Sequence, residues 1–125
     1  MGKLVILVFL GWFATVGTGH ALDLSGNWVG RLVAEQGRCP DQNDSILSIT
    51  PDAVSFAPGG GALVLKGKPS EHMSRLHAQL ILNDAKQHPL PMVFEGHPEG
   101  AGRIVGVYGT PACRAHIELR RGDAG

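Results

Sequence analysis

Cys39 and Cys113 carry the plainest chemistry in this chain. Neither sits in a Cys-x-x-Cys pair, the spacing that clamps zinc between neighbouring thiolates, so a disulfide is the expected product in an oxidising compartment and metal binding the weaker alternative. A bridge closing a loop of roughly 75 residues would restrict the unfolded chain by about 4 kcal/mol. It would tie the segment after the first strand to the start of the last one. Histidine offers a second chemistry through His72, His77, His88, His97 and His116. His88-Pro89 and His97-Pro98 bracket a short apolar stretch, and with Glu95 or Glu99 they supply nitrogen and oxygen ligands of the kind zinc or copper accepts. Their spacing matches no metal signature, and His-Pro in a loop reads equally well as an exposed turn. His88, Glu95 and His97 are therefore weak metal candidates, and no metal or cofactor is expected.

Catalytic patterns are missing from the sequence. No Gly-x-Ser-x-Gly elbow presents a serine, and a disulfide would consume both thiols. Pro58-Gly59-Gly60-Gly61 leads into Ala62-Leu63-Val64-Leu65 and lacks the Gly-Lys-Ser/Thr that a phosphate-cradling loop requires. Arg121-Gly122-Asp123 spells an adhesion tripeptide on a tail expected to fray, and Asn43-Asp44-Ser45 is a glycosylation acceptor only in a eukaryotic host. The chain reads as non-enzymatic, with a small hydrolase or a metal-binding protein as the alternative, since polar groups of separate loops can converge unseen in sequence.

These groups gain meaning from where the chain is expected to travel. Lys3, the apolar run Leu4 to Phe13 and the small residues of Gly19-His20-Ala21 make residues 1–21 a signal peptide, with the mature protein starting near Leu22. No cysteine stands just after the cleavage point, so a lipid anchor is not expected. The apolar run falls short of the roughly 20 residues a membrane span needs. The whole chain of 125 residues holds 11 basic and 11 acidic residues, of which only Lys3 lies in the leader. That balance speaks against nucleic acid or an anionic membrane as partner. A periplasmic or secreted protein with one small domain, residues 22–121, and a flexible tail, residues 122–125, is the expectation.

Short apolar segments separated by Gly, Pro, Asn and Asp predict an all-β fold. The candidate strands are Asn27–Ala34, Ser45–Thr50, Ala53–Ala57, Ala62–Lys66, Arg75–Leu82, Pro91–Gly96, Gly102–Tyr108 and Arg114–Arg120. Alternation is clearest where Leu76, Ala78, Leu80 and Leu82 oppose Arg75, His77 and Gln79, and where Ala115, Ile117 and Leu119 oppose Arg114, His116, Glu118 and Arg120. Turn chemistry at Thr50-Pro51-Asp52 and Pro58 to Gly61 predicts hairpins, and longer loops are expected over Asn83–Leu90 and His97–Gly102. An antiparallel up-and-down barrel of about eight strands, preceded by a signal-peptide helix, removes the exposed edges of such a meander. Ser70–Leu80 has a second reading as a short helix with Met73, Leu76 and Leu80 on one side.

Leu24-Ser25-Gly26-Asn27-Trp28 is the most distinctive pattern. It resembles the opening of lipocalin-like and avidin-like barrels, which implies that Gly26 allows close backbone approach and that Trp28 plugs one barrel end under an arginine of the last strand, Arg114 or Arg120 here. Asp23 to Val29 also resembles the opening of bacterial periplasmic metalloprotease inhibitors, exported one-disulfide barrels. The chain departs from that family in having only Leu22 and Asp23 ahead of Leu24 and in the wide separation of its cysteines.

The resulting expectation is an exported binding module whose inner face includes Trp28, Leu32, Leu76, Leu80, Ile117 and Leu119. Its partner would be a small apolar ligand in the interior or open mouth, or an exported protein bound by the loops, a protease among the possibilities. A barrel this small can be filled by its own side chains and leave no cavity, in which case the ligand reading fails and the surface loops become the functional site.

Overall fold

Alternating apolar and polar residues form nine antiparallel strands in the computed structural model, which describes residues 23–122. They are β1 (Gly26–Gly30), β2 (Val33–Gly37), β3 (Ser45–Ile49), β4 (Val54–Ala57), β5 (Leu65–Gly67), β6 (Leu76–Asn83), β7 (Pro89–Pro98), β8 (Ile104–Thr110) and β9 (Cys113–Arg121). Their order in the sheet is β1-β3-β4-β5-β6-β7-β8-β9-β2, and pairing of β1 with β9 closes eight of them into a barrel, with β2 the added ninth. The expected signal peptide, residues 1–21, and residues 123–125 of the expected tail lie outside the described residues. No described helix is long and apolar enough to cross a membrane.

Closure follows from the chain's own period. Side chains of a strand alternate between its faces, so one face of each strand supplies the core. In β9, Cys113, Ala115, Ile117 and Leu119 are buried while Arg114, His116, Glu118 and Arg120 are exposed. Leu76 and Ala78 of β6 meet Phe94 of β7, Ile104 and Tyr108 of β8, Leu47 and Ile49 of β3, Val54 and Phe56 of β4, and Leu65 of β5 in a single core. Each Val, Leu, Ile or Phe side chain among them contributes about 1.5–3 kcal/mol when fully removed from water. Trp28 and Leu32 join them, whereas Leu80 is half-buried at the margin.

The first predicted strand, Asn27–Ala34, is two strands. Both pair with β9, β1 against Arg120–Arg121 and β2 against Cys113–His116, but only β1 also pairs with β3. Leu32 lies buried in the break between them. At that crossing a Cβ on Gly30 would stand 2.1 Å from the Glu118 carbonyl oxygen, so only glycine lets the chain pass.

Two further boundaries shift. Ala62–Lys66 contracts to Leu65–Gly67 because Ala62, Leu63 and Val64 leave the ladder, and the only register pair between β5 and β6 is Lys66 with Gln79. The expected loops Asn83–Leu90 and His97–Gly102 are shorter, since β7 runs from Pro89 through Pro98. Asp84 makes the tighter turn possible by accepting hydrogen bonds from the backbone N–H groups of Lys86 and His88, at 2.8 and 2.9 Å. The helical reading of Ser70–Leu80 gives way to a 3-10 turn at Glu71–Met73 followed by β6. His72 and Met73 there have φ of 62 and 57°, left-handed values that no continuing helix permits.

Candidate functional site at the barrel mouth

One barrel end is sealed by Trp28, which is fully buried and donates its indole N–H to the Leu24 carbonyl at 2.9 Å. The arginine over it is Arg121, its guanidinium carbon 4.4 Å from the ring centroid. Arg121 also donates to the carbonyl oxygens of Ser25 and Asp23, drawing the incoming chain across the plug. This corrects the assignment to Arg114 or Arg120: Arg114 is paired with Glu35 at 3.8 Å, and Arg120 with Glu118 at 2.8 Å. A sequence signal for Arg121 exists, because it continues the inward register of Ile117 and Leu119 whereas Arg114 and Arg120 share the outward one. Gly26, with φ of 125°, sits two residues before the plug. The adhesion reading of Arg121-Gly122-Asp123 loses its arginine to this arrangement.

Aromatic side chains fill the middle of the barrel. Phe56 and Phe94 stack with ring centroids 4.4 Å apart, and Tyr108 tilts against Phe56 at 5.8 Å. Burial holds the Tyr108 hydroxyl above its usual pKa. Gly96 and Gly106, paired across β7 and β8, leave the space that the Phe94 ring occupies.

The opposite end stays open. A concavity of about 370 Å3 is lined there by Pro40, Pro58, Leu63, Met92 and Tyr108, with Arg38 as its charged member. Its size is near the lower end of the roughly 300–1,000 Å3 of small-molecule sites. The rim is braced covalently and by hydrogen bonding. Cys39 and Cys113 form the expected disulfide, with Cα atoms 5.2 Å apart, which fixes the loop after β2 to the start of β9. The buried hydroxyl of Ser45 accepts the Gly59 N–H at 2.8 Å, holding the Pro58–Gly60 turn against β3.

The weak metal candidates are not brought together. His88 and His97 stand at opposite ends of β7. Their side chains pair with Asp84 at 3.3 Å and Glu99 at 3.8 Å, while Glu95 pairs with His77 at 2.6 Å. Among the described residues no three His, Cys, Asp or Glu side chains are placed to hold a metal ion. His116 is paired with Glu35 at 2.8 Å, and His72 is exposed in its turn.

A larger concavity, about 710 Å3, lies between Ser74–Arg75 and the outward-facing residues Glu95, His97, Val105 and Val107. Glu95 and His97 are already committed to His77 and Glu99, which leaves Arg75 as the lining residue whose charge is in no ion pair among the described residues. The lining of the mouth was missed in sequence because Arg38–Pro40, Leu63, Met92 and Tyr108 come from four separate segments whose convergence depends on barrel closure. Compared with protein-family models, curated proteins and solved structures, the chain matches none.

Proposed function

We propose that this protein is an exported, non-enzymatic binding module that receives an apolar group of a protein partner at the barrel mouth. The observation carrying this reading is the contrast between a filled interior and an apolar, open rim. Trp28, Phe56, Phe94 and Tyr108 occupy the space a ligand would need inside the barrel, whereas Leu63, Ile81 and Leu82 remain exposed around the opening. Exposed apolar side chains gathered beside a concavity are a common mark of an interaction surface. The cystine supports export, since such a bond persists outside the reducing cytosol.

A protease is one such partner, in keeping with the resemblance of Asp23 to Val29 to inhibitor openings. A small apolar ligand is the competing occupant, and the modest mouth volume disfavours it. Thermal unfolding of the mature protein against apolar ligands and against a panel of exported proteases separates the two. A true partner present at a hundred times its Kd stabilises by about 2.7 kcal/mol, and Leu63→Glu should abolish that gain. Stabilisation by neither class would overturn the proposal.

A further inference from the structure

We propose that the partner group at the mouth is part of an extended, acidic-apolar segment that adds as a strand to the free edge of β6. This rests on the reading of the mouth as a protein-binding surface and names what that surface takes.

The barrel wall is incomplete at one place. β5 and β6 meet through Lys66 and Gln79, with a lone bridge lower down between Pro69 and Leu76. Continuing the Lys66–Gln79 register upward would set Leu65, Val64, Leu63 and Ala62 opposite Leu80, Ile81, Leu82 and Asn83. That ladder does not form. Among the described residues, Leu80–Asn83 is paired with Pro89–Met92 of β7 on one side and has no backbone partner on the other. Unpaired N–H and C=O groups along a strand are a template for another strand, and peptide addition to a sheet edge is an established recognition mode.

Side chains around this edge suit the same occupant. Leu80 is the register partner of Met92, which lines the mouth, so the edge and the concavity are continuous. Ile81 and Leu82 are 55% and 37% exposed, apolar surface that an added strand would cover. A strand laid here would turn alternate side chains toward Leu63 and Met92 and the others outward beside Ile81.

Charge selects among such strands. Arg38 in the mouth, Lys66 at the foot of the edge and Lys86 in the hairpin turn take part in no ion pair among the described residues. Nearby Asp44 is paired with Arg31, Glu35 with Arg114 and His116, and Asp84 with His88 and its own turn. Asp41 is the remaining uncommitted carboxylate of the rim, so three cations face one acid and acidic residues in the added segment are favoured. β2, the other strand with an open side, is a poorer template. It carries Glu35, and its ladder with β9 is broken by a shift between Arg114 and Ala115, a bulge of the sort that blocks edge pairing.

The test is selection of phage-displayed random octapeptides on the disulfide-bonded mature protein, followed by synthesis of the enriched sequence. The expected consensus alternates apolar residues with Asp or Glu. The peptide should slow hydrogen exchange of backbone amides within Leu80–Asn83 at least tenfold, and Leu82→Lys and Arg38→Glu should each weaken it at least tenfold. Both positions are exposed, so the variants retain the native Trp28 emission. Binding that depends on Leu63 and Met92 but leaves exchange at Leu80–Asn83 unchanged would overturn strand addition while sparing the mouth reading. Protection of Val33–Gly37 instead, or protection by dodecanoate without any selected peptide, would overturn the proposed occupant. Protection of the seam by self-association at rising protein concentration would do the same, and failure to enrich any peptide would sink both readings.

Discussion

Arg121 and Trp28 are register partners across β9 and β1, and the guanidinium lies 4.4 Å from the ring it covers. One side chain therefore joins the last strand, the first strand and the chain leading into it, since Arg121 also donates to the Asp23 and Ser25 carbonyls. A cation–π contact and charge-assisted hydrogen bonds act at a single point. Arg121→Ala should cost about 2 kcal/mol, and Arg121→Lys should recover only part of this because the ammonium cannot reproduce the planar fork. Arg114→Ala and Arg120→Ala remove exposed ion pairs and should each cost less than about 1 kcal/mol. Urea unfolding of the three alanine variants followed by Trp28 emission checks the order, and equal losses would refute the latch.

The disulfide bridges positions 74 residues apart and anchors the mouth. Cys39→Ser combined with Cys113→Ser should lower stability by about 4 kcal/mol if restriction of the unfolded chain dominates. Hydrogen exchange should accelerate first in residues 38–44, whose tether to β9 is the cystine. A double variant with unchanged urea midpoint would show that the bond adds nothing to the fold.

Where alternation was clean, in β6 and β9, the strands lie within a residue of the sequence expectation, because a period of two is a local property. The errors fall where geometry is global. Asn27–Ala34 breaks in two because its halves have different neighbours in a closed barrel, a fact no window of residues contains. Ala62–Lys66 has a strand-like composition, yet the Pro58–Gly60 turn leaves Leu63 out of the ladder. Arg121 was legible in principle from the inward register of Leu119, but its place beyond the last apolar residue made it look like tail. The mouth needed all four of its contributing segments in place before its lining became visible.

His77 gives a pH-dependent prediction. Protonated, its ring donates from Nε2 to Gln79 Oε1 at 3.1 Å and from Nδ1 to Glu95 Oε2 at 2.6 Å, contacts that hold the protonated form and raise its pKa above the ordinary 6.5, the Gln79 hydrogen bond being the larger cause. A raised folded-state pKa contributes stability that is complete below 6.5 and disappears as pH rises through the folded value. The imidazole resonances of His77 should titrate above 6.5, moving down in Gln79→Ala and to a lesser degree in Glu95→Gln. Titration at or below that value in the unmodified protein would contradict the arrangement.

Asp84 works in the opposite sense. Hydrogen bonds from the His88 and Lys86 backbones, with a contribution from the His88 side chain, favour its carboxylate and lower its pKa below 3.8. Such a group stabilises above its unfolded pKa and loses that effect as pH falls through the lower folded value. The β6–β7 turn should therefore loosen in acid, and Asp84→Asn should loosen it at neutral pH. Faster exchange confined to residues 83–89, with the barrel amides unaffected, is the expected readout.

Filling of the interior can be tested at Gly96 and Gly106. A Cβ at position 96 would come within 2.9 Å of Phe94 Cζ and 3.1 Å of the Val105 carbonyl oxygen. At position 106 it would stand 2.9 Å from Phe94 Cε1 and 2.7 Å from the Glu95 carbonyl oxygen. Overpacking of this kind costs about 1–3 kcal/mol when neighbours cannot yield. Phe94 is a side chain and can be shortened, whereas the Glu95 carbonyl belongs to the ladder. Gly96→Ala should thus be largely relieved in a Phe94→Leu background, and Gly106→Ala only partly, giving a larger coupling energy at position 96 than at 106 in a double-mutant cycle. If both alanines were tolerated beside Phe94 at less than about 0.5 kcal/mol, the barrel would hold free volume behind the mouth, and a ligand inside it would become the better account of function.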